Sequence, residues 1–368
     1  MAASVKQGRL RGKFMDEIGR KGRPGASSTP LRAARIQDVA RLADVSTATV
    51  SRALATPDRV SPEARARVLE AIAQTGYVPN PAARTLRSQK TFMVLVVLPD
   101  LANTFFSKIL RGIEETLFDA GYGMIISDLD GSPEKEAHFA AYTAAGRVDG
   151  AILLNGHLFG QSRDGKGTPA KINIPLVALC EAIPNAGIPQ IEIDNRAAAR
   201  QMTRYLASLG HARIAYVSGP AENVLEHERF QGYRDGLLAA GLSFDPELVL
   251  SGDFTLESGV RAGQELVARA ERPTAVFCTS DEMAIGAVRT LRSAGLRVPE
   301  DISVAGFDDI EFAAAAQPAL TTIHQPRREL GQAAATVLID LLQGRETEKR
   351  IRLKTELVVR DSVAPPRA

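Results

Sequence analysis

The chain is 368 residues long, 45% apolar and without tryptophan, which allows two or three domains with buried cores. Residues 1–90 carry 17 Lys and Arg against 7 Asp and Glu, whereas the other 278 residues carry 28 against 36. A basic front on an acidic body fits a nucleic-acid module joined to a body that does not itself hold phosphate. No apolar run approaches the roughly 18 to 20 residues of a membrane span, and the first 30 residues lack a secretory apolar stretch. A cytoplasmic, nucleoid-associated protein with no membrane contact is expected.

Residues 1–35 are rich in Gly, Arg and Lys without periodicity and read as a disordered basic arm, within which Met15 is a second candidate start. The segment Ile36–Leu54, IQDVARLADVSTATVSRAL, reads as two short helices with a tight turn. Ile36, Val39, Ala40 and Ala43 share one helical face, and Val45, Val50 and Leu54 supply the apolar side of the turn and second helix. Asp44 and Ser46 break the pattern at the turn, with Ser46 a good cap for a helix over Thr47–Ala55. The second helix then exposes Thr47, Ala48, Ser51 and Arg52, side chains small or polar enough to approach base edges. Spacing alone also fits any small three-helix domain. Ser61-Pro62-Glu63 starts a third helix and Gly76 stops it. In YVPNPAARTLRSQKT, residues 77–91, the run Ala82, Ala83, Arg84, Leu86, Arg87 buries too little to fold alone and reads as a linker that orders on a partner.

From Phe92 the pattern becomes strand, helix, strand. Apolar strands are expected at 92–99, 122–127, 150–155 and 174–179, with helices over Phe105–Ala120 and Glu134–Ala145. The grammar restarts with helices over Ala197–Leu209 and Glu228–Ala240 and strands at 212–219, 247–251, 275–279 and 303–307. Continuous apolar strands alternating with helices predict two parallel sheets in a bilobed α/β body. Ligands in such sheets bind beyond the carboxyl ends of the strands. The polar residues there are Asp100, Asn103, Asn155, His157, Asp194, Ser218, Ser280, Asp281, Asp308 and Asp309, with Arg229 opening a helix toward the same face. Each alone reads equally well as a cap or turn residue; their convergence predicts a cleft. Cys180 and Cys278 sit in apolar runs and read as buried thiols, and the five histidines show no ligand spacing, so no metal is expected. No GxGxxG, GxxxxGK[ST] or HExxH motif is present, so no cofactor and no enzyme are expected. The competing reading is a solute-binding protein without DNA binding, which would want a signal peptide and no basic head.

The segments Asp38-Val39-Ala40, Val45-Ser46 with Thr49-Val50-Ser51-Arg52, and Tyr77 through Leu86 closely resemble the head and hinge of the LacI-type (lactose, purine and cytidine repressor) family. The body runs PTAVFCTSDEMAIGA (273–287), GFDD (306–309), LTTIHQP (320–326) and VVRDS (358–362) are similar to its periplasmic-binding-protein-like effector domain. The likeness covers about Ile36 to Ser362 and is strongest to the cytidine-repressor branch. It implies a sequence-specific regulator, in the first instance a repressor, whose DNA affinity is set by a small sugar or nucleoside. DNA contacts are implied for Ser46, Thr47, Ala48, Thr49, Ser51 and Arg52, and for Asn80, Ala83, Arg84 and Leu86 of the hinge, with Leu86 wedged into a central base step. By the same likeness Arg229 is the effector-binding arginine, Asp308 the hydroxyl-binding aspartate, and Phe105, Phe106 and Phe254 pocket aromatics; Asn155 and Ser280 join them as strand-end residues. The expected division is an arm (1–35), a helix-turn-helix head (36–77), a hinge helix and linker (78–91) and a body (92–363). Lobe one of the body takes about 92–192 plus 326–352 and lobe two about 193–322 plus 353–363. With no Leu heptad tail after Val358-Val359, a homodimer on a pseudo-palindromic operator is expected.

Overall fold

The computed structural model describes residues 34–78, 90–161 and 167–367. The arm over 1–33 and the hinge positions Asn80, Ala83, Arg84 and Leu86 lie outside the described residues. The chain divides into two compact units, residues 1–87 and 88–368.

The first unit contains α1 (Ile36–Leu42), α2 (Thr47–Ala55) and α3 (Pro62–Thr75) around Val39, Ala40, Ala43, Val50, Ala53, Val68 and Ala71. Ala34 and Arg35 offer no side-chain cap, but the Arg35 amide donates to Asp38 Oδ2 at 2.9 Å, so an acid in the first turn fixes the start of α1. Asp44 turns the chain in the left-handed region (φ 51°), and Val45 N donates to Ala40 O at 3.0 Å. Ser46 Oγ then accepts from Thr49 N at 3.0 Å and opens α2. Leu54, expected on the apolar side, is 37% exposed. Ala53 takes the buried position, because one residue further round a 3.6-residue helix carries Leu54 to the rim.

The second unit begins with β1 (Met93–Leu98), α4 (Phe106–Asp119), β2 (Gly123–Asp128), α5 (Pro133–Ala144), β3 (Gly150–Leu153), β4 (Leu176–Leu179) and β5 (Gln190–Ile193). It continues with α6 (Asn195–Ser208), β6 (Ile214–Val217), α7 (Val224–Ala239), β7 (Val249–Leu250), α8 (Leu256–Ala268), β8 (Ala275–Cys278), α9 (Asp281–Ser293), β9 (Ser303–Ala305) and α10 (Glu311–Ala315). The last elements are β10 (Thr322–His324), α11 (Arg327–Leu342), β11 (Arg350–Leu353) and β12 (Glu356–Val358). Among the described residues, one parallel sheet runs β11-β5-β4-β3-β1-β2, a second runs β7-β6-β8-β9, and β10 pairs antiparallel with β12. The chain passes between the two parallel sheets after β5, after β10 and after β11. Both cysteines are buried and free, and no helix among the described residues is long and apolar enough to cross a membrane.

β5 and β11 carry no continuous apolar run. Glu192 in β5 is buried, and Arg350 and Arg352 of β11 reach it at 2.8 and 2.7 Å. α4 and α11 meet backbone to backbone: a Cβ on Gly112 would stand 2.1 Å from Arg328 O, and one on Gly331 2.1 Å from Ile109 O. After β12 the chain runs along β9, where Val304 N donates to Ser362 O at 2.8 Å and Ala364 N donates to Ser303 Oγ at 3.0 Å. Buried His211 anchors this strap, with Nε2 2.9 Å from Ala364 O and Nδ1 2.9 Å from Thr274 Oγ1.

Burial holds the His211 pKa below its ordinary value, against the opposing pull of the Ala364 carbonyl. A depressed histidine stabilises the fold above its unfolded pKa of about 6.5 and loses that contribution as the pH falls through the folded value. Urea midpoints are therefore expected to decline as the pH is lowered from neutrality, and His211→Gln to flatten the decline. An identical pH slope in the variant would exclude His211 as its source.

Candidate functional site

Two faces carry the residues singled out from sequence. On α2, Ser46, Thr47, Ala48 and Arg52 are exposed, and Thr49 and Ser51 are half-buried. Ser46 Oγ is occupied as a cap and also lies 2.9 Å from Thr49 Oγ1, so its part in any interface is chiefly to set the start of the helix. Arg52 donates from Nε to Ala48 O at 3.3 Å, which lays its stem along the helix over the alanine. Nothing bulky stands on this face, so the helix can lie deep in a groove.

In the second unit a cavity of about 460 Å³ opens between the two parallel sheets. Phe105 and Phe106, at the start of α4, form one wall, their rings edge to face at 5.2 Å. Phe254 faces them from the left-handed region (φ 66°). Its ring lies over Gly219, where a Cβ would come within 2.2 Å of the ring tip, so a side chain at that position would displace the ring.

Arg229 is 3% exposed and lies on the cavity wall. Its Nε donates to Asn195 Oδ1 at 2.9 Å and its Nη1 to Thr279 O at 2.6 Å. Its guanidinium stacks 3.8 Å from the Phe307 ring centre, and Nη2 stands 3.8 Å from Asp308 Oδ1. Behind it, buried Glu226 accepts from Tyr216 Oη (2.7 Å), Gly219 N (2.6 Å) and Thr279 Oγ1 (3.1 Å). That carboxylate ties together the loop under Phe254 and the strand end that holds Arg229. Burial raises the Glu226 pKa despite those donors.

Asp308 is buried, takes φ 113°, and accepts from Gln325 Nε2 at 2.7 Å. Burial pushes its pKa up to about 6, against the lowering pull of Arg229, Arg327 and Gln325. Gln325 follows β10, one of the segments that pass between the sheets, so Asp308 is positioned by a crossover. Three further hydrogen bonds join the opposing walls. Asn223 Nδ2 donates to Glu181 Oε1 at 3.0 Å, and the Thr104 amide and hydroxyl donate to Glu282 Oε1 at 3.0 and 2.7 Å.

Of the body residues expected here, Phe105, Phe106, Arg229, Phe254, Ser280 and Asp308 come together on the cavity wall, as do Asp100 and Asn103. Asn155 does not join them: it stands past the end of β3, its Nδ2 lies 3.1 Å from His157 Nε2, and its predecessor Leu154 lines the cavity instead. Arg229 also sits in the second turn of α7 rather than opening it, because the helix starts at Val224 with Asn223 as its cap. Ser280 lines the cavity while capping α9 through Met283 N. Asp194 caps α6, Asp281 holds Ile310 N and Thr322 Oγ1, and Asp309 pairs with Arg360 and His324. Two residues that sequence reasoning missed stand out: Glu181 comes two residues after the end of β4, where the strand-end rule applies to it, and Asn223 precedes the true start of α7.

Residues 35–80 match the family model described as bacterial regulatory proteins, lacI family, and residues 203–363 match the periplasmic binding protein-like domain. The chain is 41% identical to the HTH-type transcriptional repressor CytR of Escherichia coli (strain K12), over 90% of this chain and 96% of that one. It is similar to a transcriptional regulator CelR–cellobiose complex, with TM-score 0.68, 36% identity and coverage of 89% and 99%. It is also similar to the lac repressor dimer bound to operator and the anti-inducer ONPF, with TM-score 0.79, 29% identity and coverage of 90% and 100%.

A ligand hydroxyl that donates to Asp308 favours its ionised form and so lowers its pKa. Ligand affinity is then expected to rise with pH through about 6 and level off above neutrality. Titration calorimetry across that range should show the rise in the native chain and a flat profile in Asp308→Asn. A flat native profile would mean that the ligand does not donate to this carboxylate.

Proposed function

The chain belongs to the lacI family of bacterial regulatory proteins, and from that premise we propose that it is a transcriptional repressor controlled by a small sugar or nucleoside. Ligand-controlled DNA binding is common ground with its relatives; the effector class and the residues that read it are our assignment. The observation that carries the assignment is the buried Arg229 beside Asp308 under facing aromatic walls. A guanidinium edge and a carboxylate each engage adjacent hydroxyls, and rings on either side stack on a sugar face or a base. A relative's complex with cellobiose supports a polyhydroxylated ligand.

We assign residues 36–77 to the DNA-reading head, 78–91 to the hinge and linker, and 92–363 to the body, with 1–35 as a basic arm. In the head, Thr47, Ala48, Thr49, Ser51 and Arg52 present the reading face of α2, and Ser46 sets its entry. From the hinge, Asn80, Ala83, Arg84 and Leu86 are proposed to contact the minor groove, with Leu86 as the wedge. A homodimer on a pseudo-palindromic operator follows from the one-head chain and is supported by the dimer of the lac repressor on its operator. The chain works in the cytoplasm, on the nucleoid. Because the ligand touches both lobes, it shifts their relative closure. It changes operator affinity only by its differential affinity for the two states of the body.

A thermal-shift screen against nucleosides, pentoses, hexoses and disaccharides tests the cleft. A ligand at 100 times its Kd adds about 2.7 kcal/mol, enough to move the midpoint by a few degrees. Arg229→Ala is expected to erase that shift and the ligand's effect on operator binding; an unchanged response would overturn the assignment. For the head, Arg52→Ala is expected to weaken operator binding by about 1–3 kcal/mol with little effect on unrelated DNA. Equal losses on both, measured by fluorescence anisotropy, would make Arg52 a phosphate contact only.

A further inference from the structure

The walls of the cleft carry a charge pattern that goes beyond the recognition of hydroxyls. Among the described residues, Asp100, Glu181, Asp253, Glu257, Glu282 and Asp308 line the cavity, and Arg229 is the one cation there. Arg261 pairs with Asp253 at 2.8 Å, and Arg229 stands 3.8 Å from Asp308. Buried Arg327, behind the wall, also acts on Asp308. With it counted, a surplus of negative charge remains from Asp100, Glu257 and Glu282.

The groups that would ordinarily receive a phosphate are partly occupied. α7, α8 and α9 all start at the cavity, and helix N-termini are ready-made anion sites. Here one first-turn amide of each is taken by the chain's own oxygens: Leu225 N donates to Asn223 Oδ1, Ser258 N to Thr255 Oγ1 and Met283 N to Ser280 Oγ. Glu257 and Glu282 sit in the first turns of α8 and α9, so carboxylates stand where an incoming anion would be attracted. Arg229 is partly committed as well: Nε donates to Asn195 and one hydrogen of Nη1 to Thr279. Nη2 and the second hydrogen of Nη1 remain, beside the Asp308 carboxylate.

We infer that the cleft takes an uncharged ligand rich in O–H or N–H donors and excludes the phosphate ester of that same ligand. Acceptor-only carboxylates outnumber donors on the wall, so the ligand supplies the hydrogens. The exclusion is electrostatic: a phosphate carries up to two negative charges into a half-enclosed space already charged with the same sign. The regulator thereby distinguishes a nutrient from its phosphorylated product, responding to the first and ignoring the second. This inference rests on the effector reading given above.

The test is titration calorimetry on the full chain with matched pairs. Nucleosides, pentoses, hexoses and disaccharides are each measured beside their monophosphate, for example cytidine with cytidine 5′-monophosphate and ribose with ribose 5-phosphate. For whichever neutral compound binds, its ester is expected to bind at least roughly 100-fold more weakly. The triple variant Asp100→Asn, Glu257→Gln, Glu282→Gln is expected to narrow that gap by about tenfold or more. An ester that binds within tenfold of its parent, or binds where the parent does not, overturns the inference and leaves the effector reading standing. So does a gap that the triple variant leaves unchanged. Silence from every neutral compound and every ester removes the effector reading, and the inference with it.

Discussion

Removing a guanidinium from water is the constraint around which the body is arranged. The desolvation of such a charge costs several kcal/mol even after the protein relaxes, and only well-placed partners offset it. Arg229 finds its partners on separate elements: Asn195 at the start of α6, the Thr279 carbonyl just past β8, and Phe307 with Asp308 beyond β9. None of these can move alone without leaving the charge unpaired. The left-handed conformation of Asp308 and the hydrogen bond from Gln325 belong to the same arrangement, because they aim a carboxylate at a point that an ordinary strand end would miss. The wall built on the second sheet therefore holds these groups in a fixed arrangement. The opposing wall meets it through the side-chain bonds from Asn223 to Glu181 and from Thr104 to Glu282.

The two units differ in how they are held together. Four of the seven buried core residues named in the head are alanines, so its core is thin. The body buries large aromatics, including Tyr216, Tyr233, Phe277 and Phe307, in one cluster that spans both sheets. Small cores open locally at lower free energy than large ones. A head of this kind is expected to open locally at lower free energy than the body.

Much of this architecture is legible in plain periodicity. The strands at β1, β3, β6 and β8 are unbroken apolar runs, and their helices carry a regular apolar face, so a parallel α/β body is the direct reading. β5 and β11 are invisible to it because charged residues, buried Glu192 paired with the exposed Arg350 and Arg352, interrupt the apolar signal that pattern reading depends on. In the site, Arg229 and Asp308 are legible from their position near strand ends and from family likeness. The placement of Asn155 is not, since it stands past the end of β3, where strand alternation no longer fixes the side of a residue. Glu181 escapes notice because the run before it reads as a strand whose end is blurred by Cys180. The charge balance of the cleft cannot be seen at all from sequence, because its acids come from separate loops and helix starts.

The strap formed by Ser362 to Ala364 lies along β9, the outermost strand of the second sheet, and supplies hydrogen-bond partners to Val304 and Ser303. An edge strand without such cover presents a row of open amides and carbonyls to any extended chain that meets it. Together with Thr321, which pairs with Ala305, these residues close the outer edge of the second sheet, so that it offers no open row for a strand of another copy.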